Sequence, residues 1–119
     1  METDPDKFNA TLTRSNIKYN SIVKPIVRLM KYWNATHGYP YFSFELETAI
    51  SDMDFCNDNL ESGFFYGIKQ LSSYGLPDWA VKKVDLLKSD ARWVQEYLER
   101  EDIFKTKKAL NRILPDFFN

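Results

Sequence analysis

The sequence predicts an all-α fold, a compact bundle of five or six helices in a single domain over residues 1–119, and three observations carry that expectation. Apolar side chains recur at the three-and-four spacing of buried helical stripes instead of alternating. Breakers are sparse: four glycines, with prolines at 5, 25, 40, 77 and 115, cut the chain into pieces of helical length. A composition 44% hydrophobic and 16% aromatic against 28% charged suits one domain with a buried core.

Asp4 before Pro5 reads as an N-cap with proline at the first helical position, opening a first helix that carries Phe8 and Leu12 on one side and ends near Asn16. A second helix runs from about Ser21 to Asn34, where Ile22, Val23, Ile26, Val27, Met30 and Trp33 form the inward stripe. Pro25 lies in its first turn, where a missing N–H costs little. Thr36 to Tyr41, holding Gly38 and Pro40, is a turn, and Ser43 caps a third helix whose first turn places Glu45 and Glu47 near the positive end of the dipole. Asp58-Asn59-Leu60-Glu61 fits a capping box for a fourth helix that carries Phe64, Phe65, Ile68 and Leu71 and stops at Gly75, with Gly63 and Gly67 as a smooth stripe for close packing. Leu76-Pro77-Asp78 is a connector. Trp79 to Leu87 reads equally as a short helix or an extended piece, Ser89 caps a helix through Glu99 with Ala91, Val94 and Leu98 inward, and Ile103 to Leu114 is the last helix.

Sixteen basic against seventeen acidic residues give a net charge of -1, so no global positive field draws the chain to nucleic acid or membrane, and any polyanion site must be local. Cys56 is alone, which excludes an internal disulfide, and no thiol or histidine cluster offers a zinc site. No window approaches the eighteen or so apolar residues of a membrane span, and Met1-Glu2-Thr3-Asp4-Pro5 is polar and acidic where a signal peptide is basic then apolar. A reducing, cytoplasmic setting is the expectation.

Four groups invite a chemical reading. Lys24, Arg28 and Lys31 stand at i, i+4 and i+7 and share a helix face; they suit a phosphate chain, and equally the solvated face of an amphipathic helix. Ser43 at a helix start offers a hydroxyl beside free N–H groups, fit for an anion or for plain capping. Asp52-Met53-Asp54 has the D-x-D spacing of a magnesium-binding pair, but it lies at a helix end with no Gly-Ser turn before it, and it reads as structural. His37, alone beside Gly38, reads as polar surface. With no Walker-type loop, dinucleotide fingerprint or histidine pair on a helix face, no catalytic residue and no metal ligand is assigned.

One ordered pattern goes further: Asn20, then Lys24-Pro25-Ile26-Val27-Arg28-Leu29-Met30-Lys31-Tyr32-Trp33-Asn34, then Ser43-Phe44-Glu45-Leu46-Glu47. It resembles the second, helical lobe of the nucleotidyltransferase superfamily that includes oligoadenylate synthetase, cyclic GMP-AMP synthase and the bacterial cyclic-oligonucleotide synthases of anti-phage defence, in which a V-R-L-L-K-x-W helix is followed by S-F-x-L-E. The opening Thr3-Asp4-Pro5 with Phe8 and Asn9, and the ending Arg112-Ile113-Leu114-Pro115-Asp116-Phe117-Phe118, are similar to the segments that lead into and close that lobe. The resemblance implies that Lys31 reaches the triphosphate of a bound nucleotide, that Ser43 hydrogen-bonds the same phosphates, and that Lys24 and Arg28 add supporting charge. Trp33, Leu46 and Glu47 would pack or pin the two helices so that lysine and serine converge. It implies as partners a nucleoside triphosphate and a catalytic N-terminal lobe bearing the Gly-Ser turn and three carboxylates, with magnesium as the parent's cofactor. That lobe is missing here, so the chain is expected to be inactive alone, as a fragment or a remnant. The alternative is a standalone helical protein-interaction module without nucleotide binding, anchored by exposed aromatic side chains.

Overall fold

A computed structural model describes residues 12–14, 16, 19, 21–56 and 58–116; these contain no strand, and five helices are delimited in full. They are α1 (Val23–Thr36), α2 (Ser43–Ser51), α3 (Leu60–Gln70), α4 (Asp78–Glu99) and α5 (Ile103–Ile113). Leu12, Thr13, Arg14 and Asn16 are also helical. The expected cap at Asp4 and the terminal Phe117-Phe118 lie outside the described residues. The all-α expectation is met, and among the described residues no helix is long and apolar enough to cross a membrane.

The anticipated stripe of α1 is buried: Val23, Ile26, Val27, Met30 and Trp33 are each at most 5% exposed. The helix starts without a side-chain cap at Ile22. Asn16 serves instead, its Oδ1 accepting from the Lys24 N–H at 3.0 Å and its carbonyl from the Ser21 N–H at 2.7 Å. α2 packs on α1, α1 also carries α3, α3 lies against α4, and α5 runs along α4. One apolar core, with Trp33, Phe55, Ile68 and Leu87 at most 2% exposed, joins them.

Four boundaries differ from expectation. Phe42, in an extended conformation, is the N-cap of α2, and Ser43 is its first helical residue with no capping bond. The capping box of α3 sits one residue later than expected, on Asn59 and Ser62: Ser62 N–H donates to Asn59 Oδ1 at 2.8 Å and Asn59 N–H to Ser62 Oγ at 2.9 Å. α3 ends at Gln70, well before Gly75, where Leu71 turns to extended backbone, and Lys88 of α4 donates through Nζ to the carbonyls of Leu71 at 2.6 Å and Lys69 at 3.4 Å at that terminus. The segment Trp79–Leu87 is helical, and Ser89 lies inside one 22-residue helix. Ala80, Val84, Leu87, Ala91 and Val94 form an unbroken buried stripe through it, so core packing outweighs serine's preference for a cap. Leu98, expected inward, is 42% exposed at the end of that stripe.

The two glycines of α3 play different parts. A Cβ on Gly63 would meet Ile26 Cδ1 at 2.9 Å and Ile22 Cδ1 at 3.1 Å, so the glycine permits α1 and α3 to approach closely. On Gly67 the nearest neighbour is Met53 Sδ at 3.7 Å, an ordinary contact. Gly67→Ala is therefore expected to stabilise the fold by about 0.5–1 kcal/mol through helix propensity. Gly63→Ala should be less stable than Gly67→Ala by about 1–3 kcal/mol, because Ile26 is wholly buried and cannot yield freely. Urea unfolding of the two variants side by side checks the order, which the reverse ranking would refute.

Tyr41, 9% exposed, donates its hydroxyl to the Ser72 carbonyl at 2.8 Å and links the α1–α2 turn to the segment after α3. Burial penalises the phenolate and pushes this phenol from the usual 10.0 up to about 12. Below pH 10 it is protonated in folded and unfolded chains alike and its stabilisation is whole. Between pH 10 and 12 only the unfolded chain releases the proton, so about 2–3 kcal/mol is lost as pH rises. The stability gap between the wild-type chain and Tyr41→Phe should accordingly narrow from pH 9 to 12; a gap independent of pH contradicts this.

Candidate functional site

The α1–α2 hairpin brings the sequence pattern of residues 24–47 together, and its geometry begins with Asn34. This side chain is 1% exposed. Its Oδ1 accepts from the Tyr41 N–H at 3.0 Å and its Nδ2 donates to the Tyr41 carbonyl at 2.9 Å, while its own carbonyl accepts from the Tyr39 N–H at 2.8 Å. The chain reverses over Gly38 at φ 82° and Tyr39 at φ 58°, left-handed backbone that glycine tolerates without penalty. The reversal delivers Phe42 in the extended form that starts α2.

With α2 folded back on α1, Lys31 Nζ forms an ion pair with Glu47 Oε1. The lysine side chain stays 46% exposed and the glutamate 17%, so the pair is weakly stabilising, about 0–1 kcal/mol, and solvent screens it. An ammonium has three donors, and Glu47 engages one side of it. Ser43 stands four residues before Glu47 and thus on the same face of α2, about one turn nearer the helix N-terminus. The half-buried Ser43 makes no capping bond, and it stands at the N-terminal, positive end of the α2 dipole. Glu47 and Ser43 thus share a face of α2, and Lys31 meets that face through its pair with Glu47.

The other two cations of the stripe are placed differently. Arg28, exposed, borders a groove of 680 Å³ between α1, α3, α4 and α5, beside Glu61 and a largely apolar wall of Leu29, Phe64, Leu98 and Leu110. Lys24, half-buried, is tied by its backbone to Asn16 at the start of α1. The four candidates do not form one cluster.

No protein-family model matches this sequence. Comparison with curated proteins and with solved structures finds no match either.

Asp52 and Asp54 have local duties: Asp52 is the C-cap of α2, and Asp54 Oδ1 accepts from the Cys56 N–H at 3.0 Å in a tight turn. Among the described residues no group of three or more His, Cys, Asp or Glu side chains is arranged to hold a metal ion. His37 does more than occupy polar surface. Its ring stacks on Trp33, with 5.6 Å between centroids, and its nitrogens meet the Trp33 carbonyl at 2.7 Å and the Arg112 carbonyl at 3.0 Å. Together with the hydroxyl of Tyr32, which donates to the Pro115 carbonyl, it ties the end of α1 to the end of α5.

The residue that sequence reasoning passed over is Asn34. Its signal was a polar side chain continuing an apolar stripe one position beyond Trp33, immediately before a turn. Asn34→Ala would strip a donor and an acceptor from the buried Tyr41 backbone and is expected to cost about 2–4 kcal/mol. Asn34→Asp, which keeps the acceptor alone, should fall between the two in denaturant unfolding; a loss below about 0.5 kcal/mol for alanine would show that the clamp is not needed.

Proposed function

We propose that this chain acts as the triphosphate-clamping helical lobe of a nucleotidyltransferase of the oligoadenylate and cyclic-oligonucleotide synthase type, cytoplasmic and inactive without a catalytic lobe. The reading rests on the resemblance of residues 20–47 to that family. The observation that carries it is the α1–α2 hairpin, with Lys31 held by Glu47 on the face where Ser43 opens α2. In this reading Glu47 aims the ammonium, whose remaining N–H groups and charge take the outer phosphates, while the Ser43 hydroxyl and the first-turn N–H groups take a second set of oxygens. Phosphoryl and nucleotidyl transfer depend chiefly on alignment and charge stabilisation, so such a clamp contributes by fixing the α-phosphate for attack and easing release of pyrophosphate. Two metal ions, magnesium by their usual chemistry, would be held by carboxylates of the partner lobe.

The test uses the 119-residue chain itself. Titration with magnesium ATP, followed by amide chemical shifts, should perturb Lys31, Ser43 and the first turn of α2 saturably, with a dissociation constant on the order of 1 mM, as befits half of a site. Lys31→Ala should weaken that binding about tenfold while leaving the helical circular dichroism unchanged. Identical titrations for wild type and Lys31→Ala would remove the assignment.

A second reading, a protein-interaction module, is favoured by a separate observation: the largely apolar 680 Å³ groove of α1, α3, α4 and α5, whose mouth carries the half-exposed Leu60 and Leu98. Leu98→Glu leaves the α1–α2 hairpin untouched, so it should spare ATP binding under the first reading and abolish partner capture under the second.

A further inference from the structure

Away from the α1–α2 hairpin, a second groove of 500 Å³ runs between α3 and α4. Each helix supplies a stripe at i, i+3, i+4 and i+7: Ser62, Phe65, Tyr66 and Lys69 from α3, and Lys88, Ala91, Arg92 and Gln95 from α4. Phe65, Ile68 and Ala91 are buried and make an apolar floor. The walls carry three cations, Lys69, Lys88 and Arg92, and no carboxylate. In a chain whose net charge is -1, this is a marked local segregation.

The nearby acids do not neutralise it. Glu61 borders the apolar groove beside Arg28, and Glu96 is engaged by Arg100 at 2.5 Å. Asp85, a turn before Lys88, is exposed and outside the lining. Lys88 is fixed at one end by its bonds to the Leu71 carbonyl at 2.6 Å and the Lys69 carbonyl at 3.4 Å, which leave its charge unbalanced and one N–H available. Neither Lys69 nor Arg92 forms an ion pair with a described residue. Tyr66, which also lines the groove, is held edge-on against Phe55, with 5.6 Å between ring centroids, so the lining includes an oriented aromatic ring.

We propose that the α3–α4 groove binds a phosphoester anion. A single-sign cleft over a low-dielectric floor concentrates counter-charge. The planar fork of Arg92 matches two phosphate oxygens, the ammonium groups of Lys69 and Lys88 add point charges on either side, and Phe65 and Tyr66 accept the non-phosphate part. The groove's size lies within the roughly 300–1,000 Å³ typical of small-ligand sites. The same chemistry is presented by a free phosphate chain, such as that of a nucleotide, and by the backbone of a single-stranded nucleic acid.

Amide chemical-shift titrations of the intact chain with inorganic pyrophosphate, ADP and decathymidylate, at low salt, test this. Saturable shifts are expected at Tyr66, Lys69, Arg92 and Gln95, with a dissociation constant on the order of 1 mM or tighter that weakens steeply in high salt. Arg92→Gln combined with Lys69→Gln, both exposed positions, should leave the melting temperature unchanged and weaken binding by about tenfold or more. Decathymidylate binding at least about tenfold tighter than pyrophosphate assigns the phosphate to a nucleic-acid strand, and any smaller ratio assigns it to a free phosphate chain. Absence of groove shifts with all three probes, shifts confined to Lys31 and Ser43, an unchanged affinity in the double variant, or an equal response to citrate would each overturn the proposal. The first reading can fail while this one stands, because the two sets of shifts fall on different helices.

Discussion

The arrangement of the candidate site depends on one buried carboxamide. Asn34 pairs with both backbone groups of Tyr41 in bonds buried from solvent and receives the Tyr39 N–H on its own carbonyl, so the turn of six residues between α1 and α2 is closed by hydrogen bonds. The bonds to Tyr41 are the buried side-chain hydrogen bonds that join the end of α1 to the residue before the N-cap of α2. The Lys31–Glu47 pair is half in water, and apolar contacts of Leu46 and Ile50 against α1 fix distance without fixing register. The carboxamide sets where α2 starts; the ion pair reports the consequence.

The sequence made some of this legible, and the reason differs by element. The core faces of α1 and α3 were readable because buried positions follow a 3.6-residue period, and burial of Val23, Ile26, Met30, Phe64 and Ile68 follows it. Helix termini were less readable. Local caps decide them only where no group from outside the terminal turn intervenes, and here Asn16, eight residues before Lys24, and Lys88, seventeen after Leu71, supply partners. Ser89 misled for the opposite reason: a good capping residue in the middle of a continuous buried stripe has no terminus to cap. Reading α4 as one helix would have placed Lys88 and Arg92 on a common face.

For the candidate sites, spacing conveyed which cations share a helix face and nothing about what faces them. Lys24, Arg28 and Lys31 lie within one stripe, yet α2 takes Lys31 while Arg28 borders a groove built by α3, α4 and α5. Net charge was equally blunt. A total of -1 excludes a global field, but it leaves room for three cations in one groove when the carboxylates are engaged elsewhere, as Glu96 is by Arg100.

The two phosphate candidates also differ in physical kind. Lys31 is already paired, so a ligand there gains alignment: the carboxylate restricts the lysine's rotamers and part of the ordering entropy is met before binding, while the Coulomb gain is reduced by the charge already present. Lys69 and Arg92 are unpaired among the described residues, so a ligand in the α3–α4 groove gains charge neutralisation and must order two long side chains to do so. The first kind of site suits a reaction in which geometry at the phosphate matters; the second suits retention of an anion whose exact pose does not. The two lie on different helix pairs: the turn that Asn34 closes joins α2 to α1, while the second groove is lined by α3 and α4.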